Sequence, residues 1–268
     1  MSSVSVVRNL TSAMWKDKPP MFDANLSMLF TELPLLERPQ AARAAGFDAV
    51  EIWWPFADAV PETREIEAFE SAIEDAGVRL VGLNFFAGDM PAGDRGLASW
   101  PGRETEFRTN VEVTVAIAAR LGCRTLNALH GNFETTAQTI SNYRFAADVA
   151  AEAGAQIVVE PLSGAPKYPI KTAQQAFDVI DEIDRGNVKL LADLYHLATN
   201  GDDLDTLADH VDRIGHVQIA DAPGRGEPGT GELDLFGHLA KLRANGYTGF
   251  VGAEYKPVTH SFAWRDNA

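Results

Sequence analysis

Eight short apolar segments recur along the 268 residues of the chain, and a helix-like stretch follows each of them. They lie near residues 23–28, 48–53, 79–84, 125–130, 156–161, 188–193, 214–219 and 250–254. Their interiors (LVGL, IVV, KLLA, FVGA) are apolar without strict alternation, as in strands covered on both faces. Between them run helical patterns such as PETREIEAFESAIEDAG and NYRFAADVAAEAG. Gly46, Gly77, Gly122, Gly154 and Gly246 stand where a left-handed residue closes a helix. Strand–helix alternation of this kind predicts a parallel sheet, and eight units predict that the sheet closes on itself. The expected fold is α/β, a single-domain (β/α)8 TIM barrel over residues 22–268. An open doubly wound sheet would carry a Gly-rich phosphate loop after an early strand, and the sequence has none. Residues 1–21 fall outside the repeat and read as an N-terminal extension.

A formal charge of −15 and a pI near 4.8 argue against nucleic acid or an anionic membrane as partner, because phosphate surfaces repel such a chain. The first twenty residues lack the apolar core of a signal peptide, and no later run approaches membrane-spanning length, so a cytoplasmic protein is expected. Cys123 is the single cysteine, which rules out an intramolecular disulfide, and its setting reads as a small buried residue. Composition shows no interface, and a homo-oligomer stays open.

Four consecutive units carry a metal-seeking oxygen where the apolar run ends: Glu160 after IVV, Asp193 after KLLA, Gln218 in GHVQIAD and Glu254 after FVGA. The active site of such a barrel lies at the C-terminal ends of the strands, so these side chains should converge there. Asn25, Glu51, Asn84 and His130 are the polar residues expected at the other four strand ends. Three carboxylates and one amide oxygen form an all-oxygen donor set that suits Mg²⁺ or Mn²⁺, and the absence of cysteine clusters argues against structural zinc. A cation so held can stabilise the enediolate formed when a 2-hydroxycarbonyl loses a C–H proton. Glu160 and Glu254, from the fifth and eighth units, are the candidate acid/base pair for moving that proton between adjacent carbons.

The segments NLSMLFTELPLLERPQAARAAGFDAVEIWWPF, GDRGLASWPGRETEF, VVEPLS, LADLYH, HVQIAD and GAEYKP together resemble the hydroxypyruvate isomerase family of the xylose-isomerase-like barrels. The likeness runs from about Phe22 to Pro257. It implies a divalent metal at Glu160, Asp193, Gln218 and Glu254 and an enediolate mechanism that uses the two glutamates. In related ketose 3-epimerases the third metal position is His, so Gln218 points to the hydroxypyruvate isomerase branch. Those epimerases also carry a substrate-binding Glu six residues after the first metal Glu, where this chain has Pro166. By the same likeness, His196 would bind a substrate oxygen. The expected substrate is a small hydroxy-oxo acid, hydroxypyruvate in equilibrium with tartronate semialdehyde. The alternatives are a 2-oxo-tetronate, or a sugar or sugar acid handled by an epimerase or dehydratase of the same superfamily.

The carboxylate of such a substrate needs a positive partner. Arg225, after the seventh strand, and Lys256, just past Glu254, are candidates, with Arg103 in the loop after the third strand as a third. The loop GRGEPGTGELD, with Glu227 and Glu232, reads as a lid or rim turn. Trp53, Trp54, Phe85, Phe86 and Trp100 are expected near the rim as an apolar wall.

Overall fold

The computed structural model describes residues 20–259 and 261–267, so residues 1–19 of the expected extension lie outside the described residues. Eight strands follow in order: β1 (Met21–Asn25), β2 (Ala49–Ile52), β3 (Arg79–Asn84), β4 (Thr125–Asn127), β5 (Gln156–Val159), β6 (Val188–Asp193), β7 (Ile214–Ile219) and β8 (Phe250–Ala253). Each pairs in parallel with the next, and β1 pairs with β8, which closes the barrel as the repeat predicts. Register places Asp193 opposite Gln218 and Gln218 opposite Gly252, so the ends of β6, β7 and β8 share one level of the rim.

The crossovers are α1 (Arg38–Ala44), α2 (Thr63–Ala76), α3 (Glu104–Leu121), α4 (Ala137–Glu152), α5 (Ala173–Ile183), α6 (Leu194–Thr199) and α7 (Leu235–Ala244). Local chemistry fixes where several begin. Glu62 with Glu65, Thr136 with Thr139 and Thr172 with Gln175 form capping boxes that satisfy the free N–H groups of the first turn. All five glycines expected to close helices have positive φ.

Three boundaries differ from the sequence reading. β1 stops at Asn25 because its Oδ1 accepts the Ser27 N–H at 3.0 Å and its carbonyl accepts those of Met28 and Leu29, which turns the chain. β4 stops at Asn127, so Asn127 and not His130 is the polar residue at its end. After β8 the described chain forms only a 3₁₀ segment, Ala263–Asn267, in place of an eighth α-helix.

Outward-facing side chains of the strands, among them Ile157, Val159 and Val217, belong to one buried cluster with helix residues such as Phe107, Tyr143 and Phe177. The barrel interior is polar instead. Glu51 on β2 reaches His216 on β7 across that interior, with Oε2 and Nε2 2.6 Å apart. Space for the Glu51 carboxyl comes from two glycines. A Cβ on Gly252 would lie 2.5 Å from Glu51 Oε1, and one on Gly82 would lie 3.0 Å from its Cβ.

Candidate active site

Glu160, Asp193, Gln218 and Glu254 are buried at the C-terminal ends of β5, β6, β7 and β8. What each offers depends on its partners. Glu51 Oε1 accepts from Asn25 Nδ2 at 2.8 Å and from Gln218 Nε2 at 2.7 Å. Burial pushes the Glu51 carboxyl up, but the His216 charge and the hydrogen bonds from His216, Gln218 and Asn25 outweigh it and hold this acid below its usual range. Since the Gln218 amide nitrogen is committed to Glu51, its Oε1 is the free end, and that oxygen has no hydrogen-bond partner. Below this layer, both carboxylate oxygens of fully buried Asp23 also lack partners, and burial, reinforced by Glu51 and Glu254, raises its pKa well above the usual range.

Glu254 Oε1 accepts from Trp53 Nε1 at 2.9 Å and pairs with Arg225 Nη2 at 3.1 Å, while Oε2 has no partner. The same Arg225 nitrogen lies 3.4 Å from Asp193 Oδ2, and Arg225 Nε donates to the Glu254 carbonyl at 3.3 Å. Arg225 adopts a left-handed backbone, φ 59°, and its carbonyl is held by the Lys256 N–H at 2.7 Å. A non-glycine residue in that region stores strain that the surrounding contacts must sustain. Here those contacts place a guanidinium between two buried carboxylates.

Asp193 has two tasks. Its Oδ1 caps α6 by accepting from the backbone N–H of Tyr195 at 2.8 Å and of His196 at 3.4 Å, leaving Oδ2 to face Arg225 and His196. His196 Nδ1 accepts the Ser163 backbone N–H at 3.1 Å, so the neutral ring carries its proton on Nε2, 3.5 Å from Asp193 Oδ2. Burial lowers the His196 pKa to about 4 against the opposing pull of Asp193. Glu160 Oε2 accepts from Asn127 Nδ2 at 2.7 Å. Burial, with Asp193 adding repulsion, raises the Glu160 pKa to about 8. Burial also raises Glu254 well above the usual range, reinforced by Glu160 and Asp193 and opposed by Arg225.

Three carboxylates and one guanidinium leave the ionised cluster two negative charges in excess, which one divalent cation would balance. Glu160, Asp193 and His196 each present a donor atom within 4.8 Å of the others, and Gln218 Oε1 and Glu254 Oε2 are buried oxygens without partners. That oxygen-rich set suits a hard cation. The cluster opens into a cavity of about 130 Å³ whose wall includes Trp53, Asn84, Arg95, Glu160, His196, Arg225 and Glu254.

Of the four proposed substrate-binding residues, His196 and Arg225 line this cavity and Arg103 and Lys256 do not. Arg103 is bound to Glu106 (2.6 and 2.8 Å) and lies 3.7 Å from Asp94, while the Lys256 side chain is exposed. The loop read as a lid is stitched down. Asp221 accepts from the backbone N–H groups of Ala222, Gly229 and Leu233, and Glu227 Oε1 accepts from those of Val258 and Thr259. His130 is a packed residue whose backbone N–H donates to Tyr168 Oη at 3.0 Å, and burial lowers its pKa to about 4. The sequence reading left Trp53 as wall and passed over Asn127, Ser163 and Arg95. Asn127 was open to discovery through strand periodicity; the others sit on loops, where no period signals direction.

Residues 39–268 match the family described as xylose isomerase-like TIM barrel. A Streptomyces coelicolor protein named "Putative hydroxypyruvate isomerase" is 50% identical over 263 residues, covering 91% of this chain and 94% of that protein. The Escherichia coli hydroxypyruvate isomerase is 36% identical over 91% of this chain and 98% of its own length. A 2-oxo-tetronate isomerase of Haemophilus influenzae is 35% identical over 89% of this chain and 94% of its own. No described helix is long and apolar enough to cross a membrane. With a closed eight-stranded barrel and relatives of this identity along nearly its whole length, the chain belongs to the hydroxypyruvate isomerase family of xylose isomerase-like TIM barrels and is an isomerase.

Proposed function

We propose that this isomerase interconverts hydroxypyruvate and tartronate semialdehyde, with a divalent cation, Mg²⁺ or Mn²⁺, held by Glu160, Asp193, Gln218 and Glu254. The observation that carries the reading is that Glu160 and Glu254, from β5 and β8, border one small cavity, each with its affinity for a proton raised by burial. When bound, the cation supplies charge stabilisation for the oxygens of the enediolate.

The residues of the chain account for the proton movements. One glutamate removes a proton from C3 of hydroxypyruvate, and the other delivers a proton to C2. The hydroxyl proton passes from O3 to O2, so mass is conserved and C3 becomes the aldehyde. Asn127 fixes the Glu160 carboxyl, and Trp53 with Arg225 fixes that of Glu254. Such positioning keeps the acid and base at reacting distance without reorganisation during the reaction. The Nε2–H of neutral His196 is available to donate to a substrate oxygen, because Ser163 occupies the other ring nitrogen. A volume near 130 Å³ suits a three- or four-carbon acid and is small against the ~300–1,000 Å³ typical of drug-sized ligand sites.

The test is turnover of hydroxypyruvate in D₂O, after EDTA treatment and again after adding Mn²⁺ or Mg²⁺. Activity that depends on the added ion, with deuterium at C2 of the product, is the expected result. A parallel assay on a four-carbon 2-oxo-tetronate decides between the two names carried by the relatives, and inactivity on both acids would end the oxo-acid reading.

A further inference from the structure

The reacting end of the cavity is lined by carboxyl groups, which leaves open how the carboxylate of an oxo acid is received. Arg225 is already committed to Asp193 and Glu254, Arg103 to Glu106, and the Lys171 ammonium to the carbonyls of Leu162 and Ala165. Arg95 is different. It lines the small cavity beside Glu160 and Glu254 and also an adjoining, larger cavity of about 420 Å³ whose wall includes Lys167. Its Nη1 donates to the carbonyls of Met90 at 2.9 Å and Asp94 at 2.6 Å. Among the described residues no carboxylate pairs with it, and its Nε and Nη2 make no hydrogen bond.

The backbone around Arg95 is fixed with unusual care for a loop. The Arg95 carbonyl accepts the Gly131 N–H at 2.9 Å, the Gly96 N–H donates to Ala87 at 2.9 Å, and the Ser99 N–H donates to His130 at 2.7 Å. Gly96 has φ 106° and packs so closely on the loop after β4 that a Cβ would lie 2.0 Å from the Leu129 carbonyl oxygen. Asp94 Oδ2 accepts the Asp89 N–H at 2.8 Å and holds the start of the same loop. A guanidinium with one nitrogen tethered to carbonyls and its other N–H groups free is suited to a planar carboxylate.

We infer that Arg95 is the carboxylate anchor of the active site, the residue that selects an oxo acid over a neutral sugar and sets its reacting carbons toward Glu160 and Glu254. The inference rests on the proposed oxo-acid substrate, so its test uses binding as well as turnover. D-glycerate, a three-carbon hydroxy acid, is the probe. Its dissociation constant is measured by calorimetry with Mg²⁺ present for the wild type, Arg95→Met, Arg95→Lys and Lys256→Met, with circular dichroism checking the fold.

Loss of hydrogen bonds to a charged group predicts a roughly 10- to 100-fold weaker affinity in Arg95→Met. Arg95→Lys, which keeps the charge without the fork, should fall in between, and Lys256→Met should match the wild type. In turnover, Arg95→Met should raise KM by the same factor and change kcat less. Arg95-dependent glycerate binding without hydroxypyruvate isomerisation would uphold the anchor and reject the proposed reaction. The anchor itself is overturned if the wild type does not bind glycerate, or if folded Arg95→Met binds it within twofold of wild type. Should Arg95→Met not fold, the same twofold criterion applied to Arg95→Lys decides.

Discussion

Glu160→Gln is expected to stabilise the metal-free protein while abolishing most of its activity. In the fold, burial and the neighbouring Asp193 raise the Glu160 pKa from 4.5 to about 8. Between those values the folded chain keeps a proton that the unfolded chain has released, so stability falls as pH rises through that window. At about 1.4 kcal/mol per unit, the two and a half units between 4.5 and pH 7 amount to roughly 3.5 kcal/mol. Glutamine has no proton to lose, and its side-chain oxygen can still accept from Asn127 Nδ2, the 2.7 Å contact of the wild type. In EDTA, urea unfolding at pH 7 should therefore show Glu160→Gln more stable by about 3.5 kcal/mol, with the gain fading to nothing near pH 4.5. Turnover with added metal should fall by about 10²–10⁴, the usual contribution of a general acid or base. Equal stability of the two proteins at pH 7, or a gain that persists unchanged at pH 4.5, would refute the electrostatic reasoning. Activity within tenfold of wild type would remove Glu160 from the proton-transfer step.

Two further substitutions probe separate parts of the site. Gln218→Leu deletes the buried oxygen without a partner and one of the donors to Glu51; calorimetric titration with Mn²⁺ should show at least a ~10-fold weaker affinity, and an unchanged affinity would remove Gln218 from the donor set. Trp53→Phe deletes the 2.9 Å hydrogen bond to Glu254; kcat should drop by about 10- to 100-fold, from the ~1.5–3 kcal/mol of a bond to a charged group, with KM little changed, and a change in KM alone would assign Trp53 to substrate packing.

The barrel was legible in the sequence because its two signals are periodic. Apolar runs recurring along the chain gave the strands, and glycine after five of the seven helices gave the stops, all five of which adopt positive φ. The four oxygen-bearing strand ends were legible for the same reason, since a parallel barrel brings consecutive C-termini to one rim. What stayed hidden depends on contacts between residues far apart in the chain. The Trp53 indole meets Glu254 across 201 positions, and Glu51 meets His216 across 165. Cations were the hardest to read. Lys256 and Arg103 lie close in sequence to suggestive neighbours, yet one is exposed and the other is bound to Glu106, whereas Arg95 reaches the cavity through a loop whose path only tertiary hydrogen bonds define.

The guanidinium wedged between Asp193 and Glu254 bears on how the protein is assembled. Small metal-bound domains often fold only when the ion arrives, because the free energy of binding the ion is what drives their folding. Here the polypeptide carries a counter-ion of its own at that place, fixed by a strained backbone. If the proposed cation binds here, it is not needed to offset the repulsion between Asp193 and Glu254, so a barrel made without the ion would close first and take it up afterwards.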